Sequence, residues 1–561
     1  MKPGSVCTRR GPWLFALVGL LLLKLWLVSA QTVCAVGAAG HDDRLFLNLA
    51  QALLNGEWLG GYDRLTLAKG PMYPLWIAGT FLAHVPLFTA QHLLYGAMCA
   101  LLVVALRPLA PNRWLRLLIF TLLLFNPMTY EAAVHGRVIR QGIYHSCTLG
   151  VLAGLIALYG RRNAPGRQLL GWVALTGLSL GAFWLTREEG VWLLPLLAPL
   201  WLWLLSRVWR ETPHPVFTRF LVLLSPLLIW AGALLLVCGL NYRHYGVFAT
   251  VEFKTTPFAD AYGALSRVTP KAWRPYVAVQ REVRERIYAV SPAFAELQPQ
   301  FEGALGEGWA APGAGLLGLP SQQREIASGW FMWALRDAVA AAGHANTGAE
   351  AMRYYRQLAT EVNAACDDGR LAAGPRRSGF LPVWHPGYWP RLRNSLARAS
   401  KFFLTFDGFT AQPALSSGPP ENLVIYSELT RERLSPLTAA PPSPKERQGL
   451  DRWRLSVLAG LGRAYQFLIP PCAVLAGIAW LSSIGIALVR RRAHFWLILN
   501  TGLIAAIASM TAINALIDST SFPSIATGGF TACYPLYLLF LVTAWMQLRT
   551  AGRAETTVPA V

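Results

Sequence analysis

The chain has 561 residues, of which 54% are hydrophobic and only 14% charged, yet its formal charge is +21. A soluble protein of this length needs about 25% charged residues to cover its surface, so the composition excludes an ordinary cytosolic enzyme, a disordered chain and a disulfide-stapled secreted domain. A pI near 10.0 raises the question of nucleic acid, and the placement of the charges answers it.

Apolar runs long enough to cross a bilayer, roughly 20 residues each, recur along the chain. The first extends from about Pro12 to Val36 and is interrupted only by Lys24. Its length and the lack of a small-residue cleavage site predict a retained span rather than a removed signal peptide. Further runs cover 88–106, 115–129, 143–160, 168–186, 190–206, 217–240, 464–489, 495–517 and 528–547. These predict an all-α polytopic membrane protein with a bundle of about ten transmembrane helices. An N-terminal transmembrane module, 1–241, is separated from a C-terminal one, 456–561, by a stretch without any qualifying run. There Pro, Gly, Arg and Glu become common, so 242–455 reads as a mainly helical extramembrane domain.

Short cytoplasmic loops collect Lys and Arg. With the N-terminus inside, the cytoplasmic segments hold Lys2, Arg9, Arg10, Arg107, Arg113, Arg116, Arg161, Arg162, Arg167, Arg207, Arg210, Arg219, Arg490, Arg491, Arg492, Arg549 and Arg553, against Glu211 and Glu555. That is a balance of +15; the domain at 242–455 contributes +6, the small outer loops −2, and Lys24 and Arg463 the last +2. Most of the basic excess is therefore topological, and no nucleic-acid surface is needed to explain it. The same orientation requires that 71–86, a short apolar stretch with two prolines and His84, is not a span. It is expected to lie at the outer interface or to re-enter, so that 37–87 forms one outer loop with two membrane-hugging helices.

Eight cysteines are scattered without a CxxC pair, and most are expected to be small apolar fillers. The sequence contains no internal repeat, Walker loop, GxGxxG after a strand or HExxH. No metal site is indicated, although a divalent ion stays open.

The first outer loop, GHDDRLFLNLAQALLNGEWLGGYDRLTLAKGPMYPLWIAG (40–79), carries the strongest signal. Asp42 and Asp43 fall where the first span ends, followed by Leu45, Leu49, Leu53 and Leu54 at helical spacing. The plain structural role for Asp42 is a helix N-cap. Against it stand a second adjacent acid and a lone Lys69 among apolar residues, since charge near the hydrocarbon is costly and tends to be functional.

In its order of Asp42-Asp43, Phe46, then Gly56-Glu57-Trp58, then Lys69-Gly70-Pro71 and Trp76, this loop resembles the first outer loop of GT-C glycosyltransferases. It is most similar to the lipid A aminoarabinose transferase and protein O-mannosyltransferase families. The resemblance covers about 40 residues closely and implies a GT-C-like bundle. It also implies an enzyme of the bacterial inner membrane, with its site on the periplasmic face, that takes sugar from a polyprenyl-phosphate carrier. A lipid, glycan or protein would accept the sugar, with inversion at the anomeric carbon. Asp42, with Asp43, would be catalytic, Asp42 as general base, and Lys69 would contact the carrier phosphate. Tyr73, in the same loop, is expected among the substrate-binding residues. The family's second Asp, near the start of the next span, is replaced here by Arg140-Gln141. That puts a metal-dependent mechanism in doubt: either Glu131 substitutes, or one acid of the first loop suffices.

The second outer loop (125–145) carries Arg137 and Arg140; if helical, both lie on one face as a two-armed phosphate clamp. The third (183–194) holds Arg187, Glu188 and Glu189. Arg187 is expected to face the phosphate and the glutamates sugar hydroxyls, against the alternative of a polar hairpin tip. The last outer loop, 516–535, is rich in Ser, Thr and Gly with Asp518. In the domain, Met352, Tyr355, Ala359, Val362 and Cys366 form one apolar face; Ile326, Trp330, Trp333 and Ala334 form another. Segment 391–404 pairs basic residues with Phe402 and Phe403, as expected of a helix on the outer membrane surface. Two other classes compete: an O-antigen ligase or polymerase, and a non-enzymatic lipid or sugar transporter. The acids of this chain cluster in the first outer loop rather than within spans, which favours a transferase.

Overall fold

The computed structural model describes residues 11–211, 216–437 and 449–550. Lys2, Arg9, Arg10, Arg553 and Glu555 lie outside them. The described residues are helical, and backbone pairs outside helices form only isolated bridges.

Seven helices are long and apolar enough to cross a membrane, so the chain is a multi-pass membrane protein. They lie within α4 (Leu87–Ala105), α7 (Gln141–Gly160), α8 (Gly166–Thr186), α9 (Leu194–Glu211) with the turn before it, α10 (Val216–Tyr245), α15 (Gly449–Arg490) and α16 (Phe495–Thr520). An eighth span is broken: α5 (Arg113–Leu124) bends by 50° into the segment Pro127–His135, which ends in α6 (Ala132–His135). The expected first and last spans are shorter apolar helices, α1 (Gly11–Val28) and α17 (Tyr534–Thr550). Helix α1 stops at Val28, eight residues before the apolar run does, for a local reason. Val33 and Val36 are extended and bridge Leu434 and Ser417, so the backbone is committed to the outer segment 416–437.

Helix α7 is the centre of the bundle, buried along its whole apolar window and packed between α4 and α8. Gly150 and Gly154 leave no room for a Cβ beside Ser179 and Thr176 of α8, the small-residue contact by which membrane helices approach closely. Arg161 donates to the carbonyls of Val104 and Ala105, and Arg219 to that of Arg162, so the loops with the arginine clusters meet at one end of the bundle. The three other loops that hold the outer acids meet at the opposite end.

There, α2 (Asp43–Leu54) and α3 (Met72–Leu82) are the two helices formed between 37 and 87; α3, with 11 residues, is too short to span. Leu45 and Leu49 of α2 enter the core of the outer domain, beside Phe258, Phe331 and Tyr355. Phe46, Leu47 and Ala50, on the other side, pack with Tyr73, Ile77 and Val134. Burying each such side chain stabilises by about 1.5–3 kcal/mol, so the first loop and the domain share one apolar core. In the domain, α11 (Thr256–Ser266), α12 (Ser328–Ala341) and α13 (Gly348–Asp367) pack around that core. Ile326, Ala334, Met352, Tyr355, Ala359 and Val362 are buried, with Trp330, Trp333 and Cys366 half-buried at its edge. Helix α14 (Tyr388–Leu404) does not merely rest on the membrane surface as expected. It packs along α16, with Ser395 donating to Asp518 at 2.5 Å and Phe403 buried against Phe530 and Tyr534.

Candidate active site

The outer loops enclose a cavity of about 520 Å³. The first loop supplies Asp42, Phe46 and Lys69, and the second Ala133, Val134, Arg137, Ile139, Arg140 and Gln141. Phe402 and Gly408 come from the end of α14, and Ile525, Ala526, Thr527 and Gly528 from the last outer loop. Residues far apart in sequence thus converge on one chamber, at the end of the bundle opposite the arginine clusters.

Asp42 occupies the N-cap position of α2, yet its side chain makes no capping hydrogen bond. It accepts instead from the Lys69 ammonium, 27 residues on. Its side chain is 54% exposed, towards the chamber, whereas that of Lys69 is 9% exposed. Burial opposes ionisation of Asp42, but Lys69 beside it, with Arg137 and Arg140 further off, holds the carboxyl below the usual carboxylate range. Burial pulls the Lys69 ammonium down, and Asp42 offsets part of that fall. The ammonium is flanked by the Phe46 ring at 5.1 Å and the Trp333 ring at 5.9 Å.

Asp43 is a different kind of residue. It is fully buried and bound by both arms of Arg137, Nε to Oδ1 at 3.2 Å and Nη2 to Oδ2 at 2.5 Å. Burial pushes its carboxyl up despite Arg137, which restrains the rise. Arg137 and Arg140 do not share a helix face: α6 closes at Gly136, and Arg140 is the N-cap of α7. Both still line the chamber, from the turn between the two helices. Arg140 reaches the third loop, donating to Glu188 Oε2 at 2.7 Å and to the Thr186 carbonyl at 3.3 Å. Glu188 also accepts from the Gly70 backbone N–H at 2.9 Å, which ties the Lys-Gly-Pro turn to the second and third loops.

Arg187 stands behind the wall, with Nε 3.3 Å from Glu189 and Nη1 3.4 Å from the Gly528 carbonyl, over the Tyr144 ring. Burial opposes ionisation of Glu189, but Arg187 and Arg140 hold its carboxyl down at about 2. Two expected site residues point elsewhere. Glu131 is fully buried and caps α6, accepting from Ala133 and Val134 backbone N–H groups at 2.8 and 3.0 Å. Tyr73 is fully buried against Phe46, its hydroxyl accepting from Gln91. Each is consumed by local packing, and neither lines the chamber.

Gly70 follows Lys69 in the Lys-Gly-Pro turn. A Cβ there would collide with the Leu185 carbonyl, so only glycine lets the turn lie against the third loop. Gly70→Ala is expected to destabilise the protein by about 1–3 kcal/mol, the usual cost of overpacking. A fall in the apparent melting temperature of the purified protein measures it, and an unchanged midpoint would contradict the close approach.

Sequence reasoning missed the group that holds this turn. Arg336 of α12, 2% exposed, donates Nε and Nη2 to Glu252 at 2.9 Å each, and also donates to the Thr66 carbonyl. Glu252, fully buried, further accepts from Tyr62 and from Tyr355 at 3.2 Å, while its backbone N–H donates to the Leu67 carbonyl at 2.8 Å. The network thus clamps residues 62–67, just ahead of Lys69, onto the outer domain. No motif announces it, because its members are spread over 62–355. Among the described residues no group of three or more His, Cys, Asp or Glu is placed to hold a metal ion.

Comparison with known proteins finds no matching family model and no matching curated protein. Two solved structures are similar, both of ArnT from Cupriavidus metallidurans. The apo state is 15% identical over 93% of this chain and 77% of that one, with a TM-score of 0.32. The state bound to undecaprenyl phosphate is 14% identical over 93% of this chain and 78% of that one, with a TM-score of 0.30.

Proposed function

We propose that this chain is a membrane glycosyltransferase that moves a sugar from a polyprenyl-phosphate carrier to an acceptor hydroxyl at the outer face of the bacterial inner membrane. The observation that carries the reading is the Asp42–Lys69 pair on the wall of the chamber, with Arg137 and Arg140 beside it. A carboxylate kept ionised and open to a cavity suits a general base. Cations fixed on the same wall suit a phosphate leaving group.

In this reading the carrier phosphate enters beside Lys69 and Arg140, with its lipid in the bilayer. The phosphate takes over the Lys69 ammonium and releases Asp42 from its partner. Asp42 then accepts the proton of the acceptor hydroxyl as that oxygen bonds to the anomeric carbon. The bond from that carbon to the phosphate oxygen breaks, its electron pair stays on the phosphate, and Lys69 and Arg140 stabilise the charge. Donor binding thereby switches the base on, since loss of Lys69 as partner raises the proton affinity of Asp42. Asp43 acts at one remove, by fixing Arg137 and the start of α2.

The exchange has a signature in the pH–rate profile. Transfer requires ionised Asp42, so rates fall at low pH. The acid limb of kcat/KM, which reports the free enzyme, is expected below the ordinary carboxylate range, because Lys69 depresses Asp42 there. The acid limb of kcat, which reports the donor complex, is expected at higher pH. Lys69→Gln raises the kcat/KM limb; coincident limbs that ignore this substitution would contradict the exchange.

The enzymatic reading itself is tested by mass spectrometry of envelope glycans from cells with and without the gene. Loss of one sugar substituent, restored by the wild-type chain and not by Asp42→Asn, is expected. An unchanged glycan profile with a defect in uptake or export would favour a transporter.

A further inference from the structure

A second cavity, of about 210 Å³, lies in the outer domain where it meets α14. Aromatic side chains line it, Trp273, Phe380, Trp384 and Tyr388, with the His385 ring stacked on Trp273 at 4.1 Å. Its lining is not purely apolar. Ser328 contributes a buried hydroxyl, 9% exposed as a residue, that has no hydrogen-bond partner among the described residues, and Gln280 and Ser266 also line the wall. Ser521, which follows the last turn of α16, belongs to the same wall and sets the cavity at the outer end of the bundle.

Helix α14 connects this cavity to the chamber of Asp42: Tyr388 lines one and Phe402 the other, about 21 Å apart at the helical rise. Residues 521–528 run the same way, from Ser521 in the second cavity to Gly528 in the first. Between the ends, α14 carries Arg391, Arg393, Arg398 and Lys401 and no acid. Arg393, Arg398 and Lys401 are exposed.

Resting on the transferase reading, we infer that the second cavity is a carbohydrate subsite: it holds a sugar unit of an anionic glycan acceptor that lies along α14 with its reacting hydroxyl in the chamber of Asp42. The chemistry of the wall selects the class. A pyranose offers an apolar C–H face to aromatic rings and hydroxyls to polar groups. An acyl chain would fill the same aromatic space and leave the buried Ser328 hydroxyl unpaired. The cationic run of α14 matches an acceptor that carries phosphate or carboxylate groups, by charge complementarity between the two cavities. The exposed Leu381 and Val383 in its lining extend its apolar rim.

Photocrosslinking of the full chain in intact cells tests the assignment, with benzoylphenylalanine in place of Trp384 and mass analysis of the purified adduct. A glycan adduct is expected, and its yield is expected to fall several-fold on Ser328→Ala or on Arg393→Glu with Lys401→Glu. An adduct with phospholipid or protein, or no adduct, would overturn it. Asp42→Asn separates the two readings. If glycan is captured at position 384 and Asp42→Asn still transfers sugar, the chamber is misassigned and the subsite stands. If Asp42→Asn abolishes transfer and no glycan is captured, the subsite fails alone. A kinetic readout checks the subsite separately: Ser328→Ala should raise the KM for acceptor at unchanged kcat, which a merely destabilised protein would not do, and an unchanged KM would overturn it.

Discussion

Asp42→Asn is expected to lower glycan transfer by about 10²–10⁴-fold, the range that removal of a general base produces, at unchanged protein level. Asparagine keeps the shape of the side chain and can still accept from Lys69, so the first loop stays in place. The neighbouring substitution should behave in the opposite way. Asp43 is fully buried on Arg137, and Asp43→Asn leaves the Arg137 guanidinium with half its partner. Its expected effect is a loss of folded protein in the membrane, with the rate per folded molecule largely retained. Quantifying transfer and folded protein for both variants distinguishes them. Equal rates per molecule for wild type and Asp42→Asn would remove Asp42 from the chemistry.

The second large effect is expected far from the chamber. Arg336→Met removes one partner of a fully buried ion pair and leaves Glu252 uncompensated, a class of change that costs about 3–5 kcal/mol. Because the same guanidinium holds the Thr66 carbonyl, the loss should be felt at Lys69 three residues later. The variant is expected to show both a lowered thermal midpoint and a weakened hold on the carrier phosphate. Replacing Glu252 and Arg336 together by apolar residues should recover part of the stability and little of the phosphate binding. A thermal midpoint within a degree of wild type would contradict the clamp.

Much of the fold is legible from the chain because membrane burial imposes a simple code. Apolar length gives the spans, and arginine placement separates the two ends of the bundle. The sequence also shows that 71–86 is too short and too proline-rich to cross, and α3 forms there with 11 residues, too few to span. The misjudged elements have specific causes. The first apolar run continues to Val36, but Val33 and Val36 pair with a segment 400 residues away, and apolar strand-like contact cannot be told from helix by hydropathy. Arg137 and Arg140 have helical spacing, but Gly136 ends one helix and Arg140 begins the next.

The candidate site shows the same division. Asp42, Lys69, Arg137 and Arg140 stand out as charges where charge is costly, and all four line the chamber. Their pairing is not readable, since spacing cannot say that Lys69 meets Asp42 while Arg137 meets Asp43. Glu131 and Tyr73 are chemically suitable but are taken up by a helix cap and by packing. The contributions of Phe402 and of residues 525–528 arise only from tertiary folding, which brings the last loop and α14 over the first.

The most direct test of the account is binding of a polyprenyl monophosphate to the purified full-length protein in nanodiscs, with Lys69→Ala and Arg140→Ala compared to wild type. The proposed chamber predicts saturable binding by wild type, tightened in Asp42→Asn because the phosphate no longer competes with a carboxylate for Lys69. Binding should weaken at least tenfold in each cation variant. Affinities unchanged in both cation variants would show that the carrier phosphate binds elsewhere, and the assignment of this chamber would be wrong.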